Sequence, residues 1–182
     1  MTDLPRSHIR LADLPNRKAT TFALSPTAQE RATVAAALDI LGLKKLRFAG
    51  ALQPQGKRDW LLTAELGATV VQECVVTLAP VTTRIDEAIT RSYVADLEEV
   101  TTGEVEMPED DTVEALPDSL DLVEVMIEAL SLALPTYPRA AGATLGEAVF
   151  AQSGVTPMTD EDAMPFAGLA ALRDSLENKG DE

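Results

Sequence analysis

The stretch from residue 43 to 94 constrains the fold more than any other part of the chain. It reads as four extended segments, 46–52, 59–66, 68–78 and 82–94, punctuated by Gly56, Gly67 and Pro80. In the second segment Trp60, Leu62, Ala64 and Leu66 alternate with Leu61, Thr63 and Glu65. A period of two buries one face of a sheet and leaves the other half-exposed. The link Leu66-Gly67-Ala68 is short enough for a hairpin, so neighbouring antiparallel strands are expected.

Helical signals flank this β region. Upstream, two short extended candidates at 7–11 and 20–24 are separated by the turn-like pair Pro15-Asn16. Ser25-Pro26 follows, and Thr27 and Glu30 stand at capping-box spacing, opening a short amphipathic helix that ends near Gly42. Downstream, residues 96–118 hold 10 acidic residues, no basic ones and two prolines, the composition of a solvated loop. Asp121 then precedes Glu124 at the same capping spacing, and 122–134 is apolar except for Glu124, Glu128 and Ser131. Those three make one narrow polar stripe, so most of this second helix is expected to be buried. Pro135 and Pro138 end it. Residues 140–164 have no sustained period, and 165–176 fit a short terminal helix.

The expected fold is therefore α+β. An antiparallel sheet of about five to six strands, partly barrel-like, packs against two to three helices, with an acidic internal loop and a mobile C-terminal region. Residues 1–139 form the core domain, and 140–182 a loop and short helix docked on it. At 182 residues, 46% hydrophobic and 25% charged, the chain has the composition of one ordinary globular domain. No apolar run has the length of a signal peptide or a membrane span, and the single cysteine, Cys74, excludes an internal disulfide framework. A soluble cytoplasmic protein is expected, with no membrane partner.

Charge divides the chain. Residues 1–92 carry 12 Lys+Arg against 9 Asp+Glu, and residues 93–182 carry 3 against 21, so the halves stand at about +3 and −18. An acidic half repels phosphate and attracts basic protein, and a mildly basic half does the reverse. Among the positive residues Lys44, Lys45, Arg47, Lys57 and Arg58 are the candidates for RNA contact. Glu104, Glu106, Glu109, Asp110 and Asp111 are the candidates for holding a basic protein. Aromatics make up only 4%, so stacking platforms for bases are scarce.

Catalytic and metal chemistry find little purchase. A structural zinc needs four Cys or His ligands, and the chain has only Cys74 and His8. The triplets Glu109-Asp110-Asp111 and Asp160-Glu161-Asp162 lack the ligand spacing of a calcium loop. Phosphate-cradling glycine motifs, the G-x-S-x-G elbow and the H-E-x-x-H pair are all missing. Cys74 falls in phase with Val70, Val76 and Leu78, which reads as a small buried hydrophobe on a strand face. No cofactor and no small-molecule substrate are expected.

Three segments together resemble the YceD family. VVQECVVTLAPVTTRIDE at 70–87, DLVEVMIEALSLALPTYPR at 121–139 and PFAGLAAL at 165–172 are similar to that family's cysteine strand, its acidic-apolar helix ending in L-A-L-P, and its C-terminal element. With LSPTAQERATVAAAL early on, the resemblance covers most of the chain. It marks Cys74, Pro80, Asp86, Glu87, Asp121, Glu128, Pro135 and Pro138 as motif positions of structural weight. It also implies a cytoplasmic factor for accumulation of large-subunit (23S) ribosomal RNA. Many members carry C-x-x-C at the strand and further cysteines after the helix. Here Thr77 and the run Arg139–Ala143 stand at those places, as in the alphaproteobacterial type, so a metal or redox role of those relatives does not transfer.

The resulting expectation is a non-enzymatic factor that binds a basic ribosomal protein, large-subunit rRNA or both, as a monomer or weak dimer. The alternatives are a structural or oligomerisation module built on the apolar helix, and a thiol-dependent enzyme using Cys74.

Overall fold

The computed structural model describes residues 6–97, 112–144 and 154–155. The chain divides into two compact units, Met1–Ala143 and Thr144–Glu182, and every element named below belongs to the first. Its strands are β1 (His8–Ile9), β2 (Thr20–Leu24), β3 (Gly42–Gln55), β4 (Asp59–Glu73), β5 (Pro80–Val94), β6 (Val113–Ala115) and β7 (Leu120–Asp121). Its helices are α1 (Ala28–Ala37) and α2 (Leu122–Ala133), with a short 3-10 turn at Leu11–Asp13.

The main sheet has the order β2-β3-β4-β5-β6. It is α+β as expected, but two features of that expectation are overturned. The sheet is open, not barrel-like, because its order ends at β2 on one side and β6 on the other. Nor is it all antiparallel, since β6 runs parallel to β5 with Ser92 opposite Val113. A parallel pair needs a long connection to carry the chain back, and the stretch between Val94 and Val113 supplies it.

The hairpin expected at Leu66-Gly67-Ala68 does not form. β4 runs straight through it, pairing in unbroken register with β5 from Trp60↔Tyr93 to Glu73↔Pro80. Gly67 is there for room, not for a turn. A Cβ on it would lie 2.7 Å from Nη2 of Arg84, whose guanidinium lies over the strand and pairs with Asp86. A tight hairpin turn does form at Gly56, with φ +64, between the long strands β3 and β4.

Both helices sit on one side of the sheet. The core joins Val34 and Ala35 of α1, Leu122, Val123, Val125, Met126, Ala129 and Leu130 of α2, and the inward residues of β3 and β4, among them Phe48, Leu52, Leu62 and Leu66. α1 opens with the expected reciprocal box, Glu30 N–H donating to Thr27 Oγ1 and Thr27 N–H to Glu30 Oε2. It ends at Ala37, a few residues before Gly42: Leu38 is the C-cap, Asp39 adopts φ 52, and the Ile40 N–H donates to the Ala35 carbonyl at 3.0 Å. That is a Schellman end with aspartate in the left-handed position. Arg31 then ties the helix to β3 through the Leu43 carbonyl at 3.2 Å.

α2 begins at its predicted residue but is capped differently from the box its spacing implied. Asp121 Oδ1 accepts from the Val123 N–H at 3.0 Å and, across the fold, from the Ser7 N–H at 2.9 Å. The β1–β7 pair thereby fastens the start of the chain to the start of α2. The helix expected at 165–176 lies outside the described residues.

Candidate functional site

Alternation along the strands gives the sheet two unlike faces. The helix side takes every aromatic residue of the strands, Phe22, Phe48, Trp60 and Tyr93. The other side carries small and polar residues in rows across the strands: Lys45–Thr69–Arg84, Arg47–Gly67–Asp86, Ala49–Glu65–Ala88 and Ala51–Thr63–Thr90. No described helix covers this second face.

Its basic end is produced by an irregularity. The β3–β4 register slips between Leu43 and Lys45, so Lys44 is an extra residue, and a bulge lets two consecutive side chains serve one face. Lys44 Nζ donates to Thr82 Oγ1 at 3.1 Å across the strands, while Lys45 and Arg47 are exposed and make no ion pair among the described residues. Beside them Arg84 is occupied by Asp86, and the guanidinium holds that carboxyl below its usual range. A shallow groove of about 770 Å³ runs between Lys45, Arg47, Glu65, Thr69, Arg84 and Asp86.

The five cations expected to act together are divided by the fold. Lys44, Lys45 and Arg47 share the basic end, whereas Lys57 and Arg58 occupy the β3–β4 turn, some ten residues and hence about 33 Å along the strand. Arg58 there pairs with Asp96 at 3.2 Å, both side chains largely exposed. Glu104, Glu106, Glu109, Asp110 and Asp111 lie outside the described residues.

On the helix side one cation stands among core residues. Arg91 is only 14% exposed and bonds Glu114 of β6 and Glu128 of α2, the latter at 2.9 Å. Burial works against its charge, but the two carboxylates outweigh that and raise its pKa. The polar stripe of α2 is thus an anchor as well as a solvated edge. Arg91 is in phase with Ile85, Ile89 and Tyr93 along β5, the alternation that carries a side chain to the helix side. Next to it the Tyr93 phenol is pushed up to about 12, mainly by burial, and its hydroxyl has no partner among the described residues.

Four of the eight motif positions, Cys74, Pro80, Pro135 and Pro138, act at one end of the sheet. β4 ends at Glu73, so Cys74 is not on a strand face in phase with Leu78, as expected; it opens a turn in which Leu78 has φ 57 and is 71% exposed. Cys74 itself is fully buried. Its sulfur accepts from the Ala140 N–H at 3.3 Å and the Thr77 N–H at 3.5 Å. The Thr77 side chain and these amides pull the thiol down to about 6 against burial. Gln72 Nε2 donates to the Pro135 carbonyl and Val75 N–H to that of Pro138, so the segment after α2 is stitched to the end of β4. Pro80 begins β5, and Glu87 is on its helix-side face, opposite Leu66.

His8, the one histidine, is 3.7 Å from Asp121 at the opposite end of α2 from Cys74's contacts. A helix of that length spans about 18 Å, so base and thiol are kept apart. Among the described residues no group of three or more His, Cys, Asp or Glu could hold a metal ion, and no helix is long and apolar enough to cross a membrane.

A family model described as "Large ribosomal RNA subunit accumulation protein YceD" matches residues 62–173. The chain belongs to the YceD family. Its matched region takes in nearly all of β4, then β5, β6 and α2, hence the Cys74 turn, the Arg91 anchor and the outer half of the open face. The cation-bearing strand β3 lies before the YceD match. No curated protein and no solved structure matches the chain.

Proposed function

We propose that the chain supports accumulation of large-subunit ribosomal RNA without catalysing a reaction, by binding rRNA phosphates through the Lys44, Lys45 and Arg47 end of the open face. The family name points to that RNA, and the observation that carries the rest is the pair Lys45 and Arg47, exposed on an uncovered sheet face without a carboxylate partner among the described residues. Since the strand aromatics all face the helices, the sheet face itself offers nothing to stack on bases. Binding is then electrostatic and indifferent to sequence, with a salt slope of roughly −2 to −3 for three phosphates. The buried sulfur of Cys74 and its separation from His8 support a non-enzymatic reading.

Anisotropy with a labelled large-subunit rRNA fragment tests this. Replacing Lys45 and Arg47 together by Ala is expected to weaken binding about tenfold at low salt and flatten the salt slope, whereas the Lys57→Ala, Arg58→Ala pair changes it far less. Equal losses from both pairs would sink the assignment to this end of the face. In cells, normal large-subunit levels after depletion would sink the functional reading itself.

A second reading, contact with a basic ribosomal protein, is favoured by the acidic groove that Glu87, Glu114 and Glu128 line between β5 and α2.

A further inference from the structure

β5 has 15 residues, but β6 pairs only with Ser92, Tyr93 and Val94. The rest of its outer edge, Pro80 to Arg91, has no strand beside it among the described residues. The Ser92 N–H donates to the Thr112 carbonyl, which shows which way the even residues point. By alternation, the N–H and C=O groups of Thr82, Arg84, Asp86, Ala88 and Thr90 are directed to that open side. The free edge is about 40 Å long. Long open edges are usually blunted by shortening, bulges, proline, charged side chains or a covering helix or loop. Here the register with β4 is unbroken, the one proline is the first residue and there is no lysine; Arg84 and Asp86 pair with each other on one face, and Glu87 and Arg91 stand on the groove side.

Over this edge hangs the groove of about 690 Å³ between β5 and α2. Ile89, Ala129 and Leu132 give it an apolar floor, Leu132 being 78% exposed. Glu87 and Glu128 rim it, and its one cation among the described residues, Arg91, is already shared between two carboxylates. A second copy would bring a chain of net charge −15 against the same carboxylate rim. The chain's acidic run 104–111 would set five more carboxylates against the same rim. Charge complementarity therefore selects a basic strand.

We infer that this edge receives an extended segment of a basic protein by β-strand addition, its backbone pairing with β5 and its alternate side chains entering the groove. Lys or Arg meets Glu87 and Glu128, and an apolar residue between them meets Ile89 and Leu132. The inference rests on the reading of the chain as a binding factor, and it deepens the protein-partner side of that reading.

The test uses the full chain and a labelled twelve-residue peptide alternating Lys-Thr-Val-Thr. Anisotropy is expected to show saturable binding, with amide exchange slowed at Thr82, Arg84, Asp86, Ala88 and Thr90. Ala88→Pro removes an edge N–H at a position where proline is tolerated. It is expected to weaken binding tenfold or more, as is N-methylation of alternate peptide amides, which keeps the charge and removes the pairing. Glu87→Lys is expected to weaken it severalfold, and a Glu-for-Lys peptide to bind undetectably. Undiminished binding of the N-methylated peptide would overturn the inference in favour of charge alone. Protection of those five amides in the free chain would overturn it in favour of an edge covered by the chain itself. Ala88→Pro leaves rRNA binding unchanged if the two surfaces are separate. Failure of the peptide with rRNA binding intact therefore removes only the strand addition, while loss of rRNA binding on Ala88→Pro would merge the sites and overturn the assignment of this edge to protein.

Discussion

The two faces of the sheet are made by the same strands and obey opposite rules. On the helix side the residues of β4 are Trp60, Leu62, Ala64, Leu66, Ala68 and Val70, all buried, and Arg91 of β5 is accommodated there by two glutamates. On the open side the same strand shows Thr63, Glu65, Gly67 and Thr69, and two neighbouring cations need no partner because water supplies one. Stability is concentrated on one face, and the proposed RNA contact lies on the other. A change two or three residues along one strand should therefore have effects of different kinds.

The largest expected effect comes from cutting into the closed face. Leu62→Ala is expected to lower stability by about 2–5 kcal/mol in urea unfolding, whereas Glu65→Ala on the open face shifts it by less than about 0.5 kcal/mol. Comparable losses would mean that something packs on the open face as tightly as α2 does on the other. Next come two strand glycines that look alike in sequence. A Cβ on Gly50, on the helix side, would strike the Thr63 carbonyl and lie 2.6 Å from the Ala64 Cα, backbone that cannot step aside. Gly50→Ala is therefore expected to cost about 1–3 kcal/mol. Gly67→Ala meets only the tip of Arg84, and is expected to stay within about 1 kcal/mol of the parent while releasing Arg84 from Asp86.

The smallest effect concerns the rim where strand and helix ends meet. An unfolded thiol titrates near roughly 8.5, and Cys74 is pulled down to about 6 in the fold. Its contribution is present in full above the unfolded value and is lost as pH falls toward the folded one. The difference in thermal midpoint between the parent and Cys74→Ala should thus widen from pH 5.5 to pH 9. A constant difference across that range would show that the sulfur acts by packing alone.

Much of this was legible in the residues. The period of two in β4, the Thr27–Glu30 box and the apolar run of α2 each fix local structure through burial or capping, and each appears where its residues imply. What failed to read through depends on distant partners. Gly67 looks like a turn until Arg84, seventeen residues on, is found lying over it. Thr27 is capped by its own neighbour, but Asp121 is shared with Ser7, so spacing alone misassigns its box. The candidate surface was half legible: cations were visible, but only the bulge at Lys44 and the length of β3 decide which of them share a face.

The bond between Ser7 and Asp121 spans 114 residues. A ribosome adding about 5–20 residues per second would therefore leave the first strand waiting roughly 6–23 s for its partner. α2 in turn completes its first turn only against residues made long before it. β1 is thus secured long after it is made, so deleting the residues through His8 should be felt as fraying of α2, far along the sequence from the cut.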